Sequence, residues 1–229
     1  MKNAKQKKCG RLEIREQMRL SESKICIVGV GGLGCVVSQL LVRAGVGSII
    51  LIDFDAIERE NLHRQILFDE NDIGKKKVDT AVLNLRKMNS SAEIWGYNEK
   101  LSEDNVHLLD SDLVIDCTDN FETRFLINKY CVENKIPWIF GAVSGVNGFV
   151  FNVVNGACFN CIFRHVNKSI GCEGVLNSAV AIIGSIQTNE AVKILSGKEI
   201  CRDLIHIDCW NETIEKIKVS KNKNCEVCK

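Results

Sequence analysis

The segment that most constrains the fold of this chain is residues 24–34, which reads KICIVGVGGLG. An apolar run that ends in glycines spaced G-x-G-x-x-G predicts a buried strand, a tight turn and the first turn of a helix. Apolar residues recur at helical spacing up to Ala44, and residues 48–53 (SIILID) read as a second buried strand. The sequence therefore predicts a strand–helix–strand unit with two parallel strands in one sheet.

Strand and helix patterns alternate beyond this unit. They predict helices at residues 78–88 and 121–134, and strands at residues 92–97, 113–117 and 138–143. The pattern then changes to an antiparallel strand at 149–154, a long helix at 179–195 and a hairpin of 204–210 with 213–219. We expect an α/β fold with a Rossmann-like doubly wound, mostly parallel sheet that antiparallel strands extend. We assign residues 1–23 to an N-terminal extension and residues 24–229 to a single domain.

Charge and hydropathy exclude two classes of partner. The 30 Lys and Arg residues nearly balance the 29 Asp and Glu residues, so the chain lacks the net charge that attracts nucleic acid or anionic membranes. No apolar stretch approaches the roughly 18 uncharged residues of a membrane span, and the N-terminus lacks the apolar core of a signal peptide. We therefore expect a cytoplasmic protein.

Four of the 12 cysteines form two C-x-x-C pairs, Cys158 with Cys161 and Cys225 with Cys228. Two such pairs supply the four thiolates of a tetrahedral zinc site, even across a long insertion. A pair that is redox-active or merely local is the alternative, but a thioredoxin-like pair lies just after a strand and before a helix, and we predict that neither pair does. We therefore expect one structural zinc ion that joins the C-terminal tail to the rest of the fold.

The glycine turn is typical of a phosphate-binding site. In such a turn the first glycine, Gly29, makes the bend, the second, Gly31, lets the backbone approach phosphate, and the third, Gly34, packs the helix on the strand. Asp53 follows the second strand at a distance that suits binding of ribose hydroxyls. These features alone would also fit a nicotinamide dehydrogenase.

Three charged residues that follow later elements favour a nucleoside triphosphate over a dinucleotide. A triphosphate needs cations around its β and γ groups and a carboxylate for Mg²⁺, whereas a pyrophosphate bridge needs mainly backbone amides. Arg64 and Lys77 supply the cations, and Asp119 supplies the carboxylate. We find no residues for hydride transfer, so we interpret the ligand as ATP with Mg²⁺.

These motifs resemble the ThiF/MoeB family of adenylyltransferases, which are similar to ubiquitin-activating enzymes. The resemblance runs from about residue 24 to the C-terminus and rests on GVGGLG (29–34), LIDFD (51–55), NLHRQ (61–65), the lysine at the next helix start, DCTDN (116–120), CEGV (172–175) and both C-x-x-C pairs. It implies a homodimer that adenylates the C-terminal glycine of a small ubiquitin-fold sulfur carrier ending in Gly-Gly and releases pyrophosphate. A separate sulfur donor then forms the thiocarboxylate of thiamine or molybdopterin biosynthesis.

The resemblance also implies roles for individual residues. The implied nucleotide contacts are made by Gly29, Gly31, Gly32 and Gly34 in the turn, Asp53 at the ribose, Asn61, Arg64 and Lys77 at the phosphates, and Asp119 with Asn120 at Mg²⁺ and the nucleotide. Relatives carry an upstream arginine that reaches the neighbouring subunit's site. Only 23 residues precede the first predicted strand here, so Arg11 or Arg15 would serve at an unusual spacing.

Cys172 and the acyl acceptor are left open by the residues. In the thiamine branch the cysteine at this place links covalently to the carrier, whereas the molybdopterin branch does not need it for adenylation. Adenylation of a peptide C-terminus in natural-product biosynthesis would use the same site as a sulfur carrier. A non-catalytic module that binds nucleotide and zinc is the alternative from a different class.

Overall fold

The computed structural model describes residues 12–164 and 174–229. Its helices are α1 (Ile14–Glu22), α2 (Gly32–Ala44), α3 (Lys77–Met88), α4 (Phe121–Glu133), α5 (Phe159–Phe163) and α6 (Asn177–Ser196). Its strands are β1 (Lys24–Val28), β2 (Ser48–Ile52), β3 (Glu93–Tyr97), β4 (Leu113–Asp116), β5 (Trp138–Ser144), β6 (Asn147–Val153), β7 (Leu204–Asp208) and β8 (Thr213–Ile217). Short 3₁₀ helices lie at Arg59–Asn61, Glu70–Asp72 and Val106–Leu109.

The strands form one 8-stranded sheet in the order β3-β2-β1-β4-β5-β6-β7-β8. The pairs from β3 to β5 are parallel, whereas β6, β7 and β8 each pair antiparallel with the preceding strand. The predicted α/β fold is therefore confirmed, including the antiparallel extension.

Apolar side chains cover both faces of the parallel strands, which explains why those strands read as continuous apolar runs. In β1, Ile25 and Ile27 belong to a buried cluster with residues of α2, α3 and α6. Cys26 and Val28 point to the opposite cluster, which contains residues of α4, β5 and α5. The sheet is thus the middle layer of three. Of the helices within the described residues, none is both long and apolar enough to cross a membrane.

Two helices were not predicted from the sequence. α1 has a mostly polar surface, with Gln17 and Leu20 as its buried residues. α5 begins directly after Cys158, which itself follows β6, so the prediction that neither C-x-x-C pair lies after a strand and before a helix was wrong. Secondary structure therefore does not exclude a redox-active pair, and the arrangement of all four sulfurs decides between the two interpretations.

Helix α1 packs at the ends of α2 and α6 that are remote from the glycine turn. Gln17 Nε2 donates a hydrogen bond to the carbonyl of Ala44, Arg19 donates to the carbonyl of Ser196, and Glu16 pairs with Lys198. The glycine turn precedes the first residue of α2, and a helix of 13 residues is about 20 Å long. Arg15, which is exposed on α1, is therefore far from the turn of its own chain.

Candidate active site

The sheet register brings three loops to one edge of the sheet. The last residue of β1, Val28, is paired with Ile52 at the end of β2 and with Asp116 at the end of β4. The chain passes from β1 to β2, its neighbour on one side, whereas β4 is the neighbour of β1 on the other side. The loops that leave β1 and β4 therefore lead in opposite directions along the sheet. Such a divergence opens a crevice beyond the carboxyl ends of the strands, where α/β proteins bind ligands.

The glycine turn fills the middle of this edge. Gly29 has a φ of +90°, and a Cβ atom there would lie 2.7 Å from the carbonyl oxygen of Cys117. A Cβ atom on Gly34 would lie 2.0 Å from the carbonyl oxygen of Gly29, so this glycine permits the contact between helix and strand. Gly31 precedes α2 and has open space around its Cα. The amides at the start of α2 are therefore open to an anion at this point.

A substitution at Gly31 tests ligand binding separately from folding, because the space that a side chain would enter there is open. We expect Gly31→Ala to lower the free energy of unfolding by only about 1 kcal/mol, because a Cβ atom there meets no other atom within 4 Å and the one cost is a ψ of −148°, outside the usual range for alanine. The added methyl group should nevertheless weaken ATP binding roughly tenfold by blocking the approach of a phosphate. Gly34→Ala should destabilise the fold by about 3 kcal/mol or more. Thermal unfolding and calorimetry with ATP measure both effects, and equal destabilisation by the two variants would contradict this account.

Asp53 is buried and braces the glycine turn. Its Oδ2 accepts a hydrogen bond of 2.6 Å from the amide of Val30, and its Oδ1 accepts one of 2.8 Å from the amide of Asp55. Burial raises the pKa of the Asp53 carboxyl, and these two amides oppose the rise. Each oxygen keeps lone-pair capacity for a further donor, such as a ribose hydroxyl.

Arg64 belongs to the segment between β2 and α3, and its side chain packs over the glycine turn. Its Nη2 donates a hydrogen bond of 2.7 Å to Asn61 Oδ1. A Cβ atom built on Gly32 would be 3.4 Å from Arg64 Cγ, so the aliphatic part of the arginine packs over the turn. Asn61 and Arg64, which were both assigned to the phosphates, are therefore in contact with each other beside the turn.

Lys77 is the first residue of α3, and its side chain is only 7% exposed. Its Nζ lies 2.8 Å from Asp55 Oδ2, and its amide donates to the Asp55 carbonyl. The Asp55 side chain is 48% exposed, so the pair lies at the rim of the crevice. Asp55 thus provides a counter-charge for Lys77 that the sequence analysis did not recognise.

The last residue of β4 and the loop after it provide three polar side chains with different environments. Asp116 is fully buried, and it accepts hydrogen bonds from Thr118 and from Arg124. Asn120 caps α4, since its Oδ1 accepts from the amide of Thr123 at 2.9 Å. Asp119 is exposed and makes no hydrogen bond or ion pair with any residue that the structure describes. Asp119 is therefore the carboxylate of this loop that is free to bind a cation.

The two C-x-x-C pairs meet on the other side of the sheet. The Sγ atoms of Cys158, Cys161, Cys225 and Cys228 all lie within 4.8 Å of one another. Three sulfur pairs are 3.5, 3.6 and 3.9 Å apart, far beyond disulfide length. Thiolates at about 2.3 Å from one tetrahedral ion would be roughly 3.8 Å apart, so the four sulfurs fit a metal ion.

The Cys225 thiol of this cluster has a lowered pKa. Its burial opposes ionisation, but backbone amides of Cys228 and Val227 and the neighbouring thiols outweigh that effect and lower its pKa to about 7. Burial raises the pKa of Cys158. A metal ion must displace the remaining thiol protons, so metal affinity should fall as the pH falls.

Some predicted residues lie outside the part of the chain that the structure describes. Cys172 and Arg11 are among them. Conversely, the sequence analysis missed Asp55, Arg124 and Gln187, whose side chains contact predicted site residues or their loop. No spacing rule marks Arg124 or Gln187, although Asp55 stood within the LIDFD motif.

Comparison with known proteins identifies the family. The model of the ThiF family matches residues 4–227 of the chain. The chain belongs to the ThiF family. The resemblance that the motifs indicated is therefore confirmed.

Two insect members named "Adenylyltransferase and sulfurtransferase MOCS3", from Drosophila sechellia and Culex quinquefasciatus, are 35% and 34% identical to the chain over 227 residues. Each match covers 94% of the chain but only 50% and 52% of the relative. The chain thus spans about half the length of these curated relatives. Among solved structures, E. coli MccB crystallised with ATP has a TM-score of 0.84 and 25% identity, over 93% of this chain and 69% of that chain.

Proposed function

We propose that this ThiF-family protein uses ATP to adenylate the C-terminal carboxylate of a small ubiquitin-like sulfur carrier ending in Gly-Gly. The observation that carries the proposal is the shared edge of the sheet, where Arg64 packs over the open glycine turn, Lys77 pairs with Asp55 beyond β2, and the exposed Asp119 follows β4. The names of the MOCS3 relatives and the crystallisation of MccB with ATP support this chemistry.

The reaction needs charge neutralisation more than it needs proton transfer. A terminal carboxylate is already ionised near neutral pH, so no general base is required. One carboxylate oxygen forms a bond to the α-phosphorus of ATP, and the bond from that phosphorus to the bridging oxygen breaks. Pyrophosphate leaves with the electron pair of that bond. Arg64 and Lys77 stabilise the charge on the phosphates and hold them in line for attack.

Lys77 must exchange partners when ATP binds. In the structure its ammonium contacts Asp55, which keeps the buried cation compensated. A phosphate oxygen offers a stronger and more highly charged acceptor than the half-exposed carboxylate. We infer that Asp55 binds the Lys77 ammonium at the rim of the crevice until ATP is present. The ammonium then leaves Asp55 and binds the phosphates beside the glycine turn.

Asp119 fits the role of magnesium ligand, since Mg²⁺ in nucleotide sites is bound through one or two carboxylates and the phosphates. Bound there, Mg²⁺ would neutralise charge on the phosphates of ATP. Asn120 uses its Oδ1 to cap α4, so its amide nitrogen is the atom left for the nucleotide. In the same way, we assign zinc to the four clustered cysteines, because a set of four thiolates is typical of structural zinc.

The acyl acceptor separates this proposal from its alternatives. The MccB structures include complexes with MccA, so a peptide terminus is a second candidate acceptor for the same site. A small protein that co-purifies with this chain and ends in Gly-Gly would support the sulfur-carrier proposal. ATP–pyrophosphate exchange with that protein would separate the enzyme from a non-catalytic module. We further propose a homodimer in which an upstream arginine, Arg11 or Arg15, acts in the neighbouring subunit's site.

Nucleotide choice is the first test of this proposal. We expect calorimetry to detect binding of ATP in the presence of magnesium and no binding of NAD, because Arg64, Lys77 and Asp119 suit a triphosphate. ADP should bind more weakly than ATP, since it lacks the γ-phosphate. Binding of NAD without binding of ATP would contradict the proposal.

Cys172 is assigned to a step after adenylation, because no thiol takes part in forming the acyl adenylate. We expect Cys172→Ala to keep ATP–pyrophosphate exchange with the carrier within a few-fold of the wild-type rate. An effect on formation of the thiocarboxylate would point to a covalent role in sulfur transfer. Loss of pyrophosphate exchange in a folded, zinc-loaded variant would contradict the assignment.

A further inference from the structure

Arg124 is a buried cation that the proposed chemistry does not itself use. It lies in the first turn of α4, and its side chain is 7% exposed. A buried guanidinium is costly unless hydrogen bonds and counter-charges compensate it. Here the compensating groups belong to the loop at residues 116–120, which leads from β4 into α4.

The arginine spans this loop with two different nitrogen atoms. Its Nε donates to Asp116 Oδ2 at 3.2 Å, and its Nη2 donates to the Thr118 carbonyl at 2.5 Å. The guanidinium carbon lies 5.5 Å from the ring centre of Phe121 and 5.1 Å from that of Phe140. Stacking against aromatic rings restricts the planar group, so the direction of both hydrogen bonds is restricted as well.

The remaining polar atoms of the loop complete the support. The other oxygen of Asp116 accepts hydrogen bonds from the amide and the hydroxyl of Thr118, at 2.9 and 2.6 Å. From α6, Gln187 Nε2 donates to the Asp116 carbonyl at 2.8 Å. On its other side the loop touches the glycine turn, because the carbonyl of Cys117 occupies the space that a Cβ atom on Gly29 would need.

Asp119 follows directly after these contacts and has none of its own within the described residues. Its position relative to the glycine turn is therefore set by the loop backbone. We propose that Arg124 is a positioning residue that holds this loop so that Asp119 can bind the magnesium ion of ATP beside the glycine turn. This role rests on the proposed function, and it requires the fork of an arginine, since one ammonium cannot serve both acceptors in the same directions.

The test compares Arg124→Lys and Arg124→Met with Lys129→Met, which removes an exposed cation from the same helix. Hydrogen exchange of the nucleotide-free protein reports the loop, because the Thr118 amide is bonded to Asp116. Calorimetry with ATP, at stepped magnesium concentrations and without magnesium, reports the site. Thermal unfolding identifies variants that have lost the fold.

We expect the Thr118 amide, which is bonded to Asp116, to exchange at least about tenfold faster in both Arg124 variants and unchanged in Lys129→Met. ATP affinity with magnesium should fall about tenfold, whereas affinity without magnesium should stay within about twofold, because the glycine turn remains. Arg124→Lys should keep thermal stability near that of the wild type yet still show the magnesium effect.

Three results would overturn the positioning role. The first is unchanged exchange of the Thr118 amide in both variants, and the second is faster exchange with an unchanged magnesium dependence. A loss of ATP affinity in Arg124→Lys that is equal with and without magnesium would also overturn it, because it would indicate general damage to the site. Absence of magnesium-dependent ATP binding in the wild-type protein would instead overturn the proposed function, and the role of Arg124 with it.

Discussion

Replacement of Asp119 by alanine is expected to lower the rate of adenylation roughly 10²–10³-fold. The reason is that Asp119 is the exposed, uncompensated carboxylate of its loop, whereas Asp116 is buried and bonded to Arg124. Without it, the phosphates would lose a positioned Mg²⁺ while charge shifts onto the leaving pyrophosphate. Such a loss should appear in kcat, since the stabilisation grows as the transition state forms.

The measurement is ATP–pyrophosphate exchange with the carrier protein, over a range of magnesium concentrations. Glu122→Ala is the matched control, because Glu122 is an exposed carboxylate in the same region that pairs with the exposed Lys100. We expect the control variant to keep its wild-type rate and both variants to unfold near the wild-type temperature. If Asp119→Ala retained more than about a tenth of the wild-type rate, the magnesium assignment would be wrong.

The parts of the site that could be predicted from the sequence are those that local backbone chemistry dictates. Buried parallel strands are apolar throughout, and glycine is required where a positive φ or a backbone contact leaves no room for a Cβ atom, as at Gly29 and Gly34. Because parallel strands end at one edge, residues just after β1, β2 and β4 had to lie near one another. The placement of Asp53 and Asp119 near the turn follows from that rule.

The residues that support the site could not be predicted in the same way. Arg124 and Gln187 lie on helices, where a charged or polar residue normally faces solvent, and both are buried. Their burial is possible only because each donates to the loop after β4, a pairing across 8 and 71 positions of the chain. Helix α1 was missed for a related reason, since its packing at the ends of α2 and α6 stabilises so polar a segment.

Loss of the proposed metal site is the second large effect that we expect. Cys228→Ser should abolish binding of the proposed zinc ion and lower the free energy of unfolding by on the order of 4–5 kcal/mol, because four thiolates on one ion would connect the C-terminal tail to α5. The consequences should extend to α4. The ring of Phe159, the residue after Cys158, packs against the rings of Phe121 and Phe125 in α4. The Phe159 amide also donates a hydrogen bond of 3.0 Å to Oδ1 of Asn128 in the same helix.

The glycine turn should survive this change, because it depends on pairing of β1 with β2 and β4 and not on the tail. We therefore expect metal analysis to find one zinc ion per wild-type chain and none in Cys228→Ser, while hydrogen exchange increases at residues 218–229 and in α5 and stays slow in β1. Cys209→Ser is the matched control, since Cys209 is a half-buried thiol outside the cluster. Wild-type protein purified under reducing conditions without zinc, or a Cys228→Ser variant that keeps its zinc, would show that the four sulfurs lie together for another reason. A redox-active pair of Cys158 and Cys161 would then be the remaining interpretation of this C-x-x-C sequence.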